Sequence, residues 1–306
     1  MNLRTKDLNI QVAQEDWTRE ESILSAVQLQ RTFKELGFRP KKSLGQHFLV
    51  DTCGLHSLLD AADLSPDDIV VEVGPGLGVL TKEIARRVRQ VVAVEVDGRL
   101  VSYLRQSMSS FSNCSVVHAD ILRSNPAILL STMPAGLSEY KVIADLPYYI
   151  TSAVLRHFLE SHAKPSRMVV MVQEEVGETI VAESGKMSLL SVSVQFYGKP
   201  AIISHVPSSS FYPPPKVDSV ILMIDLYQQP PIEVPSTEEF FHVVRAGFSA
   251  RRKQLRNALA LGLGLSPPDA VVILEEADVS PQRRAESLSL SEWARLCRVV
   301  VERKGN

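Results

Sequence analysis

Cysteine is scarce. Three cysteines in 306 residues, Cys53, Cys114 and Cys297, stand far apart, without the short spacings of a metal site or a disulfide framework. A stapled fold is thereby excluded, and the thiols are expected free, buried and in a reducing cytoplasm. No histidine pair shows ligand spacing either, so no metal is expected. Long apolar runs are missing too, none approaching the roughly 20 residues that span a bilayer. The opening residues, MNLRTKDLNIQVAQEDW, lack an apolar signal core and carry too many acids for an organelle transit peptide. The expectation is a cytoplasmic protein without membrane contact. A surplus of one charge is also lacking: 33 Lys and Arg against 35 Asp and Glu leave a net charge of −2. Any nucleic-acid partner must then be held by a local basic patch, not by the whole surface. No repeat, low-complexity tract or coiled-coil signature occurs, which makes a monomer the default.

What is present is ordinary for a soluble globular chain, 45% hydrophobic and 22% charged, and long enough for one large or two ordinary domains. Its centre of organisation is the stretch 69–81, IVVEVGPGLGVLT. Apolar β-formers and an acid run into Gly74, Gly76 and Gly78, and an apolar-periodic helix pattern follows over 79–88. Glycines let the backbone turn with positive φ and approach a ligand closely. The free N–H groups of the helix start then face its negative end. For a dinucleotide the third glycine comes one residue early. An acid-x-G-x-G-x-G order suits S-adenosylmethionine (SAM) better, its amino-acid end on the loop N–H groups and its ribose on an acid after the next strand. A glycine-rich βα turn without a ligand is the competing reading.

Residues 1–30 read as a polar extension. Apolar positions at helical spacing predict a helix within 18–36, ending at Gly37, and a second over 51–62. Between them lies RPKKSLGQHFLVD, with Lys41, Lys42 and His47; such lysines usually belong to a solvated loop and such a histidine to packing. Strands are expected at 69–73, 91–94, 115–118 and 141–144, with helices at 79–88 and 98–108, the pattern of a parallel sheet covered on both faces. Ligands of such sheets sit at the carboxyl ends of the strands. Polar residues occupy those ends: Glu72 and Gly74, then Glu95 and Asp97, then Asp120, then Asp145. Glu95 lies where an acid would take a ribose hydroxyl pair. Each acid alone also suits a helix cap.

After the fourth strand the chain reads ADLPYYIT. Asp145-Leu146-Pro147-Tyr148 has the form Asp/Asn-x-Pro-aromatic, which suits methylation of an amino group on a flat base. The adenine amino lone pair is delocalised into the ring. A side-chain oxygen and a backbone carbonyl accepting its N–H bonds push that pair toward a methyl donor, proline stiffens the turn, and Tyr148 stacks on the ring, a contact of about 1–3 kcal/mol. A fifth strand is expected at 167–172, helices at 174–181 and 186–196, and strands at 201–206 and 217–226. The connection SSSFYPPPKVDS is stiffened by three prolines. Phe211 facing Tyr148 would clamp an extruded base, although an aromatic wedged against a proline loop fits equally well.

At QQPPIEVP the strands end, and helices are expected at 238–249, 251–262, 268–276 and 289–301. A domain boundary is placed there, giving a catalytic domain over 31–228 and a helical domain over 229–306. The stretch FSARRKQLRNAL sets Arg251, Arg252, Lys253 and Arg256 within two helical turns, the densest basic patch in the chain and the kind that phosphates need.

Taken in order, RPKKSLGQHFL, EVGPGLGVLT, AVEVD, ADLPYYIT, SSFYPPPKVDSV and FSARRKQLRNAL resemble the ribosomal RNA adenine N6-dimethyltransferases of the bacterial small-subunit (KsgA/RsmA) type, over roughly 33–301. The resemblance implies an α/β, Rossmann-like methyltransferase sheet followed by a small all-helical domain that contacts rRNA. It implies SAM held by His47, Leu49, Gly74, Gly76, Glu95, Asp120 and Asp145. The target adenine would lie among Asp145, the Leu146 carbonyl, Pro147, Tyr148 and Phe211, with RNA on Lys41, Lys42 and the 251–256 cluster. The substrate implied is a pair of adjacent adenosines in the loop of the 3′-terminal helix of small-subunit rRNA, in an assembling subunit. Two positions depart from the family: Asp145 stands for its usual asparagine, and Glu174 for a common lysine. The alternatives are a large-subunit rRNA adenine methylase, an RNA-binding assembly factor that methylates weakly, and, less well matched by the glycine spacing, a nucleotide-cofactor oxidoreductase.

Overall fold

The computed structural model describes residues 25–41, 44–131, 139–250 and 252–304. The chain enters through α1 (Ala26–Glu35), which Ser25 and Gln28 close with a reciprocal capping box. A two-residue strand, β1 (Phe48–Leu49), leads into α2 (Thr52–Ala62). The Asp51 carboxylate caps α2 by accepting from the N–H groups of Cys53 and Gly54.

Strand and helix then alternate: β2 (Ile69–Val73), α3 (Val79–Ala85), β3 (Gln90–Glu95), α4 (Gly98–Ser107), β4 (Cys114–His118), α5 (Pro126–Ser131), β5 (Lys141–Asp145), α6 (Thr151–Leu159) and β6 (Arg167–Gln173). Next come α7 (Glu174–Val181), α8 (Leu189–Tyr197), β7 (Gly198–Val206), β8 (Phe211–Tyr212) and β9 (Ser219–Leu226). The last four elements are helical: α9 (Thr237–Phe248), α10 (Leu255–Leu263), α11 (Pro267–Glu276) and α12 (Leu290–Lys304).

Seven strands form one sheet in the order β4-β3-β2-β5-β6-β9-β7. The first five run parallel, whereas β9 is antiparallel to β6 and β7 to β9. Central strands read as unbroken apolar runs because both faces are covered. On one face Val70, Val91, Ala93, Ile143, Val169 and Met171 pack with Leu55, Leu58 and Ile84 from α2 and α3. On the other, Val71, Val92, Val142, Met168 and Val170 pack with Phe158 and Phe196 from α6 and α8.

That second core does not stop at the expected boundary. It continues through Phe240, Val244, Leu259, Ile273 and Trp293 of α9–α12, and the rings of Phe196 and Phe240 lie 4.8 Å apart. The helical segment is thus built onto the sheet's own core. Three sequence expectations are corrected. The helix expected over 251–262 starts later: Gln254 is the N-cap and α10 begins at Leu255, so Arg252 and Lys253 precede it and Arg256 lies in its first turn. The strands include a small sheet of β1 and β8 that the apolar pattern does not predict. The cysteines are free, but Cys53 is exposed and not buried. Among the described residues no single helix is long and apolar enough to cross a membrane, and no group of three His, Cys, Asp or Glu side chains is arranged to hold a metal ion.

Candidate active site

The strand order reverses between β2 and β5: β3 and β4 extend one way, β6, β9 and β7 the other. Crevices open at such switch points, beyond the carboxyl ends of the strands. Here the crevice is a cavity of about 410 Å³, walled by the 44–49 segment and by the ends of β2, β3, β4 and β5.

The floor is the turn after β2. Gly74, Gly76 and Gly78 have φ of +70°, +59° and +79°, where a side chain is strained. Two of them are also closed by contact. A Cβ on Gly76 would meet the Phe48 ring at 3.2 Å, and one on Gly78 would meet Leu104 at 2.8 Å. Phe48 thus sits directly over the turn.

Register accounts for the acids. Glu72 is level with Ala93 on β3 and with Ile143 on β5. Side chains alternate along a strand, so Glu72, Glu95 and Asp145 share one sheet face and converge on the cavity. Glu95 accepts from the N–H groups of Val96 and Asp97 at 2.9 Å and of Gly76 at 3.2 Å. Burial holds its pKa above the usual carboxylate value, and these bonds offset only part of the rise. Glu72 has no such donors: burial pushes its carboxyl up to about 8, against a lowering by the nearby Thr81 hydroxyl. Burial likewise pushes Asp145 up to about 7. Asp97 goes the other way. Burial opposes its charge, but bonds from Arg99 and Lys41 win and hold it at about 2. Asp120 caps a short turn by accepting from the Leu122 N–H at 3.0 Å, and it too lines the cavity.

The wall beyond β5 carries the Pro-Tyr turn. The Leu146 N–H donates to the Met171 carbonyl at 3.2 Å, tying the turn to β6. Tyr148 is fixed by a 2.7 Å hydrogen bond between its hydroxyl and that of Ser219, and its ring lies nearly parallel to His47 at 6.0 Å and 21°. His47 Nδ1 is 2.6 Å from the Pro213 carbonyl, an acceptor only, so Nδ1 carries the proton. No sequence signal marks Ser219, the Pro213 carbonyl or Phe48 for these supporting roles, because each contact joins segments distant along the chain.

Of the expected site residues, His47, Leu49, Gly74, Gly76, Glu95, Asp120, Asp145, Leu146, Pro147 and Tyr148 line this one cavity. Phe211 does not. It is 3% exposed and packs with Leu55, Leu58 and Ile221 beneath β1. In the antiparallel β1–β8 pair Leu49 is level with Phe211 and Phe48 with Tyr212. The alternation turns the first pair into the core and the second toward the aromatic cluster of Phe33 and Phe38.

The Lys41 ammonium is 3.1 Å from Asp97. Arg252 and Lys253 are exposed and Arg256 half-buried, and none of the three forms an ion pair among the described residues or lines the cavity. Lys42 and Arg251 lie outside the described residues. Glu174, in place of the family's lysine, is 2.9 Å from His205 Nδ1.

Comparison with known proteins gives this geometry a lineage. A protein of Dehalococcoides mccartyi strain 195 named ribosomal RNA small subunit methyltransferase A is 51% identical over 265 residues, spanning 86% of this chain and 89% of its own length. One of the same name from Moorella thermoacetica is 40% identical over 273 residues, 87% of this chain and 94% of its own. Among solved structures, the 23S rRNA methyltransferase ErmE superposes with a TM-score of 0.66 at 29% identity over 83% of this chain and 99% of its own. A dimethyladenosine transferase from Plasmodium falciparum superposes at 0.69 with 22% identity, covering 84% of this chain and 98% of its own, and speaks to the fold alone. The family model described as ribosomal RNA adenine dimethylase matches residues 37–301. With the glycine turn, the acids and the Pro-Tyr turn on one cavity, the chain belongs to the ribosomal RNA adenine dimethylase family.

Proposed function

We propose that this chain dimethylates N6 of two adjacent adenosines in the loop of the 3′-terminal helix of small-subunit rRNA, with SAM as donor. The observation that carries it is the placing of Asp145, Leu146 and Tyr148 on the same cavity as the glycine turn and Glu95. Bound there, SAM would supply the electrophilic methyl group. The chain's own residues do the rest. The glycine turn and the start of α3 present N–H groups to the methionine carboxylate. Glu95, its carboxylate already held by three backbone donors, keeps lone pairs for the ribose hydroxyls. Asp120 faces the donor's adenine, and His47 and Leu49 close the wall.

The target adenine, turned out of its stack, lies against Tyr148, whose hydroxyl is pinned by Ser219. Asp145 and the Leu146 carbonyl accept its amino hydrogens and so raise the nitrogen lone pair. We assign the stacking to Tyr148; Phe211 supports β1 from the core. No covalent intermediate is needed. The exposed Arg252 and Lys253, with Arg256, are proposed as the phosphate contact.

The relatives named as small-subunit methyltransferases reach 51% identity, above the 29% of ErmE, which favours the small subunit over the large. The experiment is transfer of labelled methyl from SAM to unmodified small subunits, naked rRNA and large subunits side by side, followed by nucleoside analysis. Dimethyladenosine from the small subunit is expected. Transfer to the large subunit alone would move the substrate, and RNA binding without transfer would leave an assembly factor. Tyr148→Ala is expected to lower turnover by about 10- to 100-fold, consistent with removal of base stacking, while SAM still binds.

A further inference from the structure

Three acids face the cavity from one side of the sheet, and they are not equivalent. Both Glu95 oxygens accept backbone hydrogen bonds, as an ionised carboxylate requires. Asp145 is half-buried and lines the cavity. Glu72 is 1% exposed, two residues before the glycine turn, and lines the cavity. Its Oε2 has no hydrogen-bond partner, and neither has the Thr81 hydroxyl on α3. No cation pairs with Glu72 among the described residues. The titratable groups around it are Glu95 on β3, Asp145 on β5 and Cys114 on β4, none of them positive at neutral pH. A buried carboxylate with one unpartnered oxygen, the Thr81 hydroxyl as its nearby donor and no cation beside it is strongly disfavoured and takes up a proton instead.

We infer that Glu72 couples SAM binding to proton release: its carboxyl is protonated when no ligand is bound, and it ionises to pair with the ammonium of the methionine end. This rests on the SAM assignment above. The O–H bond of the carboxyl breaks, the proton passes to buffer, and the carboxylate gains the positive partner that its surroundings lack. Held by the loop N–H groups, the methionine end would set its ammonium within reach of Glu72, which lines the cavity two residues before the turn. Glu95 has a different task, because its charge is already satisfied by the backbone.

The test is calorimetric titration of SAM, and separately of S-adenosylhomocysteine, into the full-length protein at pH 6.5. At that pH the ligand's own α-amino group keeps its proton. Repeating it in buffers of different ionisation enthalpy reads the protons exchanged on binding. Release approaching one proton per ligand is expected for both ligands, with affinity rising nearly tenfold per pH unit between pH 6 and 7. Glu72→Gln should abolish the release and flatten the affinity profile. In Asp145→Asn, which removes a second acid raised by burial, the proton should still be released. Binding without release in the wild type would overturn the inference, as would release unchanged in Glu72→Gln or lost in Asp145→Asn. Should Glu72→Gln fail to fold, infrared difference spectra decide. A protonated-carboxyl band must vanish when SAM binds to Asp145→Asn, and a band that persists refutes the coupling. Failure to bind SAM at all would instead sink the donor assignment.

Discussion

Asp145 and the asparagine usual at its place are the same size and both offer an oxygen to an adenine amino group. They differ in what a proton does to them. Protonated, the carboxyl turns one oxygen into a donor that opposes the amino hydrogens; an amide keeps its carbonyl as an acceptor at every pH. Burial raises Asp145 to about 7, so its acceptor form gains through neutrality and declines as the pH falls. With SAM saturating, kcat for methyl transfer is expected to fall along an acid limb that lies below that value, because the cationic donor favours the carboxylate, and Asp145→Asn to remove this limb. A pH–rate profile of both proteins checks it, and identical limbs would show that another group titrates. The acids at the strand ends were legible in the sequence because the sheet rule collects them. Which of them is charged was not legible, since that depends on whether backbone donors face them, as they face Glu95 and not Glu72.

The β2–turn–α3 unit was readable almost to the residue. An apolar run, three glycines and a helical period leave few other conformations. Only packing distinguishes the glycines. Gly78 has both a φ of +79° and Leu104 2.8 Å from where a Cβ would stand, so Gly78→Ala combines strain with a clash. A loss of about 1–3 kcal/mol is expected, together with weakened SAM binding as the turn shifts. Thermal melting and titration of the variant measure the two effects, and unchanged values of both would show that the turn yields freely. The β1–β8 pair is invisible to pattern because two-residue strands carry no period, and its partners are some 160 residues apart. It nevertheless decides that Phe211 faces the core. The expected start of α10 falls too early because arginine and lysine are good helix formers, whereas the chain holds Arg252 and Lys253 in the turn before Gln254.

Across the whole molecule, the helical segment and the sheet share one core. Phe196 meets Phe240, and Trp293 is fully buried. The proposed boundary at 228/229 is thus a change of composition along the chain, spanned by continuous packing. With a net charge of −2, RNA affinity must come from local patches. Replacing Arg252, Lys253 and Arg256 together with Gln is expected to weaken rRNA binding by an order of magnitude or more. The slope of log K against log salt should fall by about 2, at roughly 0.7–0.9 for each phosphate no longer neutralised, with SAM affinity unchanged. Filter binding across a salt series reads both, and an unaltered slope would place the phosphate-binding surface elsewhere.

By itself the sequence determined the elements and the chemistry available at their ends. Periodicity sets helix or strand, glycine sets the turn, and a parallel sheet brings the ends of its strands together whatever the details of packing. The tertiary structure alone decided which way each functional side chain faces and what it touches: Phe211 in the core, Tyr148 pinned by Ser219, His47 held by a proline carbonyl, and Glu72 left with one unpartnered oxygen. Those outcomes depend on register and on contacts between distant segments, where a shift of one residue reverses the face that a side chain presents.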